Sequence, residues 1–281
     1  MRTDLRPEEV AAYRDNGFVV LDDFVDDAEL ERWRTAVDRA VAERRDRKLP
    51  GAVDFGSVDA PDPDSAEGRR LAYYERVFAQ RMNLWQSDDD VRELVFDPRL
   101  GRVAATLAGV AGVRIFHDQA LIKPPWGNPT AYHLDVPYWS FTSPDAISVW
   151  IALDDATLAN GCLCYVPGSH KVRRYDNSGI NDELGGLFAR YPEYADVDPV
   201  HCPVRAGGAV LHNGLVAHGA GANMTPRPRR AMTVQFMPEG ATFNGTKSVL
   251  PDDYVASLRI GDVLDNDECN PLTYSSSHRR R

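Results

Sequence analysis

Long apolar runs, cysteines and positive net charge are all scarce in this sequence of 281 residues. No apolar run approaches the roughly 18–20 residues that a membrane span needs, and Met1 to Asp4 open no apolar secretory signal. Four cysteines are too few for a disulfide framework. A formal net charge of -10 offers no general attraction to nucleic-acid phosphates. We therefore expect a cytoplasmic protein with reduced thiols that binds neither membranes nor nucleic acids.

The first part of the chain, to about residue 110, carries the periodicity of helices. Apolar spacing and cap residues predict four segments: a helix from Pro7 to Asp15 that stops at Asn16-Gly17, a strand from Phe18 to Leu21, a helix capped by Asp26 or Asp27, and a helix from Pro98 to Leu107. Between them, Lys48 to about Glu67 is rich in glycine, proline and acidic residues, which predicts either a mobile lid or a disordered loop.

From Val113 onward, short runs rich in β-branched and aromatic residues alternate with proline and glycine turns. The predicted strands are Val113 to Lys123, Ala146 to Leu153, Cys162 to Val166, Ala209 to His212 and Ala231 to Met237. Asn177 to Tyr191 is predicted to be a helical insertion. Strands of this length and spacing indicate an antiparallel sandwich or barrel. Since no linker or repeat divides the chain, we predict one mainly β domain with flanking helices over residues 1–281: a helical part to about 110, a β core over about 111–240 and a C-terminal extension.

His133 and Asp135 stand two positions apart and form the first candidate metal site. In an extended segment such side chains project from one face, so an imidazole and a carboxylate can bind the same ion. His218, just after a strand-like run, is the best candidate for a third ligand. Two histidines and one carboxylate are the facial triad typical of non-haem iron(II), with positions left open for a co-substrate and oxygen. Alone, the His-x-Asp pair occurs by chance in many surface strands.

Arg229 makes this ligand set more specific, because it follows His218 by eleven positions at the start of a predicted strand. A guanidinium group can bind the distal carboxylate of a dicarboxylic co-substrate with two hydrogen bonds. The competing interpretation is a solvated basic cluster with Arg227 and Arg230. His212 also competes with His218 as a ligand, although the offset of Arg229 favours His218.

The sequence resembles the phytanoyl-CoA dioxygenase-like branch of the 2-oxoglutarate oxygenases from Tyr13 to about Pro238. The most specific segments are Lys123-Pro124-Pro125 ahead of His133-Leu134-Asp135, Asn160 to Leu163 with Val166 to Lys171, and Ala206 to Gly208 with His218 to Gly221, Asn223 and Arg229. The resemblance implies a double-stranded β-helix (jelly-roll) core. It also implies that a small-molecule substrate is oxidised with iron(II), 2-oxoglutarate and O2, with release of succinate and carbon dioxide.

The same resemblance implies roles for individual residues. It matches the metal ligands to His133, Asp135 and His218. It matches Arg229 to the residue that binds the C5 carboxylate of 2-oxoglutarate. Gln119 resembles a glutamine that contacts the co-substrate in some members, and Trp150 falls where members line the co-substrate pocket. A strand-edge amide and ordinary core packing are the competing interpretations for these last two residues.

Several alternatives stay open on sequence grounds. Related halogenases replace the carboxylate at the position of Asp135, so hydroxylation is favoured over halogenation, while desaturation, epimerisation and ring closure remain alternatives. A zinc-type hydrolase could use the same three ligands with a bound hydroxide, but it would have no use for Arg229. A non-catalytic jelly-roll binding protein is a third possibility. The sequence identifies neither the substrate nor the oligomeric state.

Seven further side chains also have two interpretations each. Trp126, Tyr138 and Trp139 flank the metal motif and would either line an aromatic pocket or pack in the core. Cys162 and Cys164 lack the further cysteines of a zinc site, so we expect them to be small core residues. His170 is expected to serve a turn, and His117 either faces substrate or ends a strand.

Overall fold

A computed structural model describes residues 1–44 and 65–277 of the chain. The helices are α1 (Pro7–Asn16), α2 (Asp27–Glu43), α3 (Ala66–Glu75), α4 (Asp89–Val95), α5 (Pro98–Ala108), α6 (Gly186–Arg190) and α7 (Asp252–Ser257). The strands are β1 (Phe18–Leu21), β2 (Ala79–Met82), β3 (Gly112–Lys123), β4 (Thr130–His133), β5 (Ile147–Ala152), β6 (Leu163–Tyr165), β7 (Val200–Cys202), β8 (Ala209–Asn213), β9 (His218–Ala220), β10 (Arg229–Pro238) and β11 (Leu272–Ser275).

The strands form two antiparallel sheets. The larger sheet has the order β1-β8-β5-β10-β3-β11, with β2 also paired to β3, and the smaller has the order β4-β9-β6-β7. Trp150 and Ala231 of the larger sheet share one buried apolar cluster with Tyr165 and Cys202 of the smaller. The two sheets therefore face each other, and the cluster closes one part of the space between them.

Strand β10 has one face in the apolar core and the other face toward a cavity, because successive side chains of a strand point to opposite sides. Its residues Met232, Val234 and Phe236 are fully buried in the largest apolar cluster, which also holds the inner residues of α2, α4 and α5. The alternate residues Thr233 and Gln235 line a cavity between the sheets. Helices thus cover one face of the larger sheet and leave the other face free to build a site.

The N-terminal segments form where the sequence predicts them. Helix α1 ends at Gly17, whose φ of +86° is a left-handed conformation that favours glycine. Strand β1 then pairs with β8 at the edge of the larger sheet. Asp26 caps α2 by accepting a hydrogen bond from the backbone N–H of Glu29 at 2.9 Å. No described helix is long and apolar enough to cross a membrane.

Two other predicted segments, at 177–191 and 48–67, are not confirmed. The helical insertion from Asn177 to Tyr191 is wrong for most of its length, since α6 covers only Gly186–Arg190. Asn177 is used elsewhere, because its amide bonds both the backbone N–H and the carbonyl of Leu134. Most of the proposed lid at 48–67 lies outside the described residues; its last residues belong to α3, which Ser65 caps.

Candidate metal and co-substrate site

Three side chains that could bind one metal ion meet at the edge of the smaller sheet. His133 ends β4 and His218 begins β9, and the two residues are paired opposite each other. Asp135 follows His133, and its Oδ1 lies 3.7 Å from Nε2 of His133 and 3.8 Å from Nε2 of His218. One ligand atom from each residue lies within 4.8 Å of the others. The fold therefore brings together the two histidines and the carboxylate that the sequence singles out.

The sequence predicts that Asp135 lies in an extended segment and projects from the same face as His133, and this prediction is wrong. Its φ of -80° and ψ of -48° are helical, and it precedes a single 3-10 turn at Val136–Tyr138. The backbone N–H groups of Asp135 and Val136 both donate to the carbonyl of Gly214 at 3.0 Å. It is this turn after β4, rather than one strand face, that brings the carboxylate back to the imidazoles.

Hydrogen bonds fix the tautomer of both histidines. Nδ1 of His133 donates to the carbonyl of Ala131 at 2.9 Å, and Nδ1 of His218 donates to that of Val216 at 3.0 Å. A ring whose Nδ1 carries the proton keeps a lone pair on Nε2, the atom that faces Asp135. Burial also lowers the pKa of both imidazoles, most strongly for His218. Both rings are therefore prepared as neutral metal ligands.

The second oxygen of Asp135 is held by two donors. Oδ2 accepts hydrogen bonds from Ser148 Oγ at 2.9 Å and from His212 Nε2 at 3.1 Å, and His212 Nδ1 lies 3.0 Å from the hydroxyl of Tyr165. Burial opposes ionisation of Asp135, but the surrounding imidazoles, His218 first among them, outweigh it and lower the pKa of the carboxyl group. His212 competed with His218 for the role of ligand in the sequence, and the structure instead places it behind the carboxylate.

Arg229 is a buried cation with unused donors. Its side chain is 3% exposed, and Nη2 donates to the carbonyl of Gly161 at 3.2 Å. Nε and Nη1 are buried without a hydrogen-bond partner in the described structure. The guanidinium carbon lies 5.1 Å from the centre of the Trp150 ring, and burial lowers the pKa of Arg229 to about 10. Such a group is suited to an anion that brings its own acceptors.

The neighbouring residues Arg227 and Arg230 are not buried cations with unused donors. Arg227 is exposed. Arg230 is bound by Asp154 and Asp38 through hydrogen bonds of 2.6–2.9 Å. The solvated basic cluster considered for the three residues therefore does not describe Arg229.

Lys123 is a second buried basic residue, and in the sequence it stands out only as the first residue of a Lys-Pro-Pro motif. It pairs directly opposite Arg229 in the register of β3 and β10 and is fully buried. Its Nζ donates to the carbonyl of Asn128 at 2.6 Å and lies 3.4 Å from Thr130 Oγ1. Burial and the charge of Arg229 lower the pKa of Lys123 to about 7. Neither Lys123 nor Arg229 forms an ion pair with a carboxylate in the described residues, so this adjacent pair of buried basic groups fits a dicarboxylate co-substrate.

A cavity of about 390 Å³ connects the metal ligands to Arg229. Gln119 and Trp150 both line this cavity. Thr233 of β10 pairs with Gln119 on β3 and with Trp150 on β5, so the three residues lie side by side across the larger sheet. The amide oxygen of Gln119 accepts a hydrogen bond from Gln80 of β2. The positions of Gln119 and Trp150 are compatible with contacts to a co-substrate, which stay predictions.

The remaining candidates separate into cavity and structural residues. Trp139, which is buried, and Tyr138, which is partly exposed, line the cavity, whereas the exposed Trp126 is not part of its lining. His170 lies in a 3-10 turn, where its Nε2 is 3.1 Å from the carbonyl of Arg14. Cys162 and Cys164 are free, buried thiols. The turn and core interpretations of His170 and of the two cysteines thus agree with the structure.

Comparison with known proteins identifies the family. A sequence model of the family described as phytanoyl-CoA dioxygenase (PhyH) matches residues 13–231. The chain belongs to this family. Phytanoyl-CoA dioxygenase, peroxisomal, from Mus musculus is 27% identical over 233 residues, which cover 80% of this chain and 66% of the mouse protein. This chain therefore spans about two thirds of the length of that phytanoyl-CoA dioxygenase.

Two solved structures resemble this member of the phytanoyl-CoA dioxygenase family over nearly their whole length. The non-heme alpha ketoglutarate dependent carbocyclase SnoK from nogalamycin biosynthesis is 28% identical, with a TM-score of 0.73 and coverage of 96% of each chain. The epimerase SnoN in complex with Fe3+, alpha ketoglutarate and nogalamycin RO is 28% identical, with a TM-score of 0.74 and coverage of 95% of this chain and 97% of SnoN. Alpha ketoglutarate is 2-oxoglutarate. The expected family, the jelly-roll fold and the class of iron- and 2-oxoglutarate-dependent oxygenases are confirmed.

Proposed function

We propose that this protein is a dioxygenase that uses iron(II) and 2-oxoglutarate to hydroxylate an apolar small molecule. The observation that carries the proposal is a cavity lined both by a His-Asp-His ligand set and by the buried Arg229, which forms no ion pair in the described residues and pairs with Lys123 on the next strand. The first feature is the donor set that non-haem iron(II) takes. The second is what a dicarboxylate co-substrate would bind.

The residues present fit both groups. Nε2 of His133, Nε2 of His218 and Oδ1 of Asp135 would hold iron(II), which supplies the site for oxygen activation coupled to 2-oxoglutarate decarboxylation. Arg229 and Lys123 would bind the distal carboxylate of 2-oxoglutarate. The ring of Trp150, against the Arg229 guanidinium, keeps water from that ion pair and so strengthens it.

The apolar members of the cavity lining indicate the character of the substrate. They are aromatic and aliphatic and include Leu71, Tyr74, Phe78, Tyr138, Trp139, Ile180 and Val249. Cavity walls of this kind bind apolar parts of small molecules by shape and burial. The similarity to two enzymes of nogalamycin biosynthesis supports a substrate from secondary metabolism.

Ring closure or epimerisation is the second candidate reaction, and those same two structures favour it, since they are a carbocyclase and an epimerase. The presence of Asp135 argues against halogenation and does not discriminate among the other outcomes. A zinc-type hydrolase is disfavoured, because it would bury Arg229 and Lys123 without giving either a counter-charge.

The test is succinate formation from 2-oxoglutarate by the purified protein with iron(II), ascorbate and O2, first without substrate and then across a panel of apolar metabolites. We expect slow succinate release without substrate and faster release with an accepted one. Product mass separates the reactions: hydroxylation adds one oxygen atom, ring closure or desaturation removes two hydrogen atoms, and epimerisation leaves the mass unchanged.

Asp135→Ala tests the metal assignment in the same assay. The variant loses one of three ligands, so we expect succinate formation to fall more than about 100-fold together with loss of iron(II) binding. Asp176→Asn, a change at an acid outside the ligand set, is the control and should leave both unchanged. Retained turnover in Asp135→Ala would exclude the triad as the iron site.

We also propose a cytoplasmic setting. The four cysteines are all free, as expected of a protein held in a reducing compartment. Burial raises the pKa of Cys202 to about 12 and that of Cys162 above its ordinary value, so these thiols stay protonated and inert.

A further inference from the structure

A row of four buried polar side chains crosses the inner face of the larger sheet beside the metal ligands. The register of the strands places His117 of β3, Gln235 of β10, Ser148 of β5 and His212 of β8 side by side in that order. Ser148 and His212 already have a function, since both donate to Asp135. His117 and Gln235 do not contact that carboxylate, yet each is only 3% exposed and lines the cavity.

The hydrogen bonds around Gln235 determine which end of its amide faces the cavity. The hydroxyl of Thr233 donates to the carbonyl of Gln119 at 3.2 Å, so it can only accept from Gln235 Nε2, which lies 3.0 Å away. The amide oxygen Oε1 is therefore the free end. It is buried without a partner in the part of the chain that the structure describes. A buried acceptor left unpaired is unfavourable and points to a donor supplied by a ligand.

His117 offers a second acceptor in the same place. Its Nδ1 lies 3.4 Å from the carbonyl of Asp118 and is placed to donate to it, which leaves Nε2 with a lone pair. The imidazole packs edge-on against the rings of Phe116 and Trp139, with centroids 5.1 and 6.4 Å away. These contacts hold the ring in place without using Nε2.

We propose that His117 and Gln235 form a subsite that accepts a hydrogen bond from a hydroxyl group of the substrate. This inference rests on the proposed function, because it places the hydroxyl beside the metal ligands and so selects the neighbouring carbon for oxidation. A hydroxyl fits better than an ammonium group, since Asp135 is the only acid in the described lining and Arg70 and Arg229 are cations of the same cavity. The substrate class is therefore an uncharged, apolar alcohol.

The test compares two probes of nearly equal shape, 2-tetralol and its parent hydrocarbon tetralin, on the enzyme loaded with iron(II) and 2-oxoglutarate in the absence of O2. Dissociation constants are measured by quenching of tryptophan fluorescence. We expect the wild-type protein to bind 2-tetralol roughly three- to tenfold more tightly than tetralin, as for the one neutral hydrogen bond that a hydroxyl can donate. Equal binding of the two probes would overturn the proposal.

Variants then test whether His117 and Gln235 cause the preference for 2-tetralol over tetralin. Gln235→Leu should bind tetralin at least as tightly as the wild type and lose most of its preference for 2-tetralol, and His117→Phe should shift it in the same direction. Met82→Leu, a cavity residue without a hydrogen-bonding group, is the control and should keep the preference. Gln235→Met repeats the test with an unbranched side chain if the leucine variant is poorly folded. A preference that persists in both Gln235 variants would exclude the subsite.

The outcome is distinguishable from failure of the proposed function. Succinate release by the wild-type protein without substrate tests the proposed function and does not depend on the subsite. If the wild-type protein released no succinate at all, the oxygenase assignment would fail, whereas the probe preference is a binding measurement that needs no turnover.

Discussion

At the residue scale, the surroundings of Arg229 are incomplete without a ligand, and this makes it the sharpest test of the co-substrate site. Two of its nitrogens are buried without partners. We expect Arg229→Ala to raise the 2-oxoglutarate KM about 100-fold, in line with the ~3 kcal/mol typical of losing one partner of a buried charged pair. Arg227→Ala, at an exposed position, should leave the KM unchanged. Steady-state succinate assays over a range of 2-oxoglutarate concentrations measure both, and the reverse pattern would transfer the role to Arg227.

His212 acts one step away from the metal, because it holds Oδ2 of Asp135 while Oδ1 faces the two other ligands. Removal of such a supporting hydrogen bond typically weakens metal binding by about 10- to 100-fold. We therefore expect His212→Phe to lose affinity for iron(II) or Mn(II) by this factor and to keep its fold, since Ser148 still binds the carboxylate. Metal titration monitored calorimetrically checks the change. His170→Gln, in a turn outside the site, serves as the reference, and equal affinities in the two variants would contradict the role.

At the scale of elements, the turn after β4 determines where Asp135 lies, and Gly214 is the residue on which that turn rests. Its carbonyl accepts from both Asp135 and Val136. A Cβ atom at Gly214 would lie 2.8 Å from side-chain atoms of Val136 and Trp139. Gly214→Ala must therefore displace the turn, and we expect it to destabilise the protein by about 1–3 kcal/mol and to weaken metal binding. Gly185→Ala, where the nearest atom is 3.8 Å away, is the matched control in chemical denaturation and metal titration.

The strands and helices that the sequence predicts are those with a local signal, and the missed ones lack it. Runs rich in apolar, β-branched and aromatic residues mark β1, β3, β5, β6 and β10. Strands β4, β7 and β9 are no longer than four residues, carry no such run and depend on their partners. The metal ligands could be proposed because His133 and Asp135 are close in sequence. The pairing of Lys123 with Arg229, and of His117 with Gln235, depends on the register between β3 and β10. Register joins residues more than 100 positions apart, so no local pattern indicates it.

At the scale of the whole molecule, the larger sheet divides its two faces between stability and chemistry. Helices α2, α4 and α5 pack on one face through an apolar cluster, and residues of the opposite face line the cavity in which we propose that the co-substrate, the substrate and the metal bind. The cation Arg229 is buried beside the basic residue Lys123, which costs stability until an anion binds. Ligand binding and stability are therefore coupled, and Lys123 makes this coupling depend on pH.

The pKa of Lys123 is lowered from 10.5 to about 7 by burial and by the charge of Arg229. Between these values the unfolded chain binds a proton that the folded protein without ligand does not, so this residue lowers the free energy of unfolding as the pH falls from about 10.5 to about 7. A bound carboxylate favours the charged amine and removes the penalty. In the presence of Mn(II), 2-oxoglutarate should therefore raise Tm more at pH 7 than at pH 9, by about 2–4 °C for each kcal/mol relieved. Scanning calorimetry of the wild type and of Lys123→Met measures the difference, which should vanish in the variant; an equal pH dependence in both proteins would show that Lys123 does not carry the coupling.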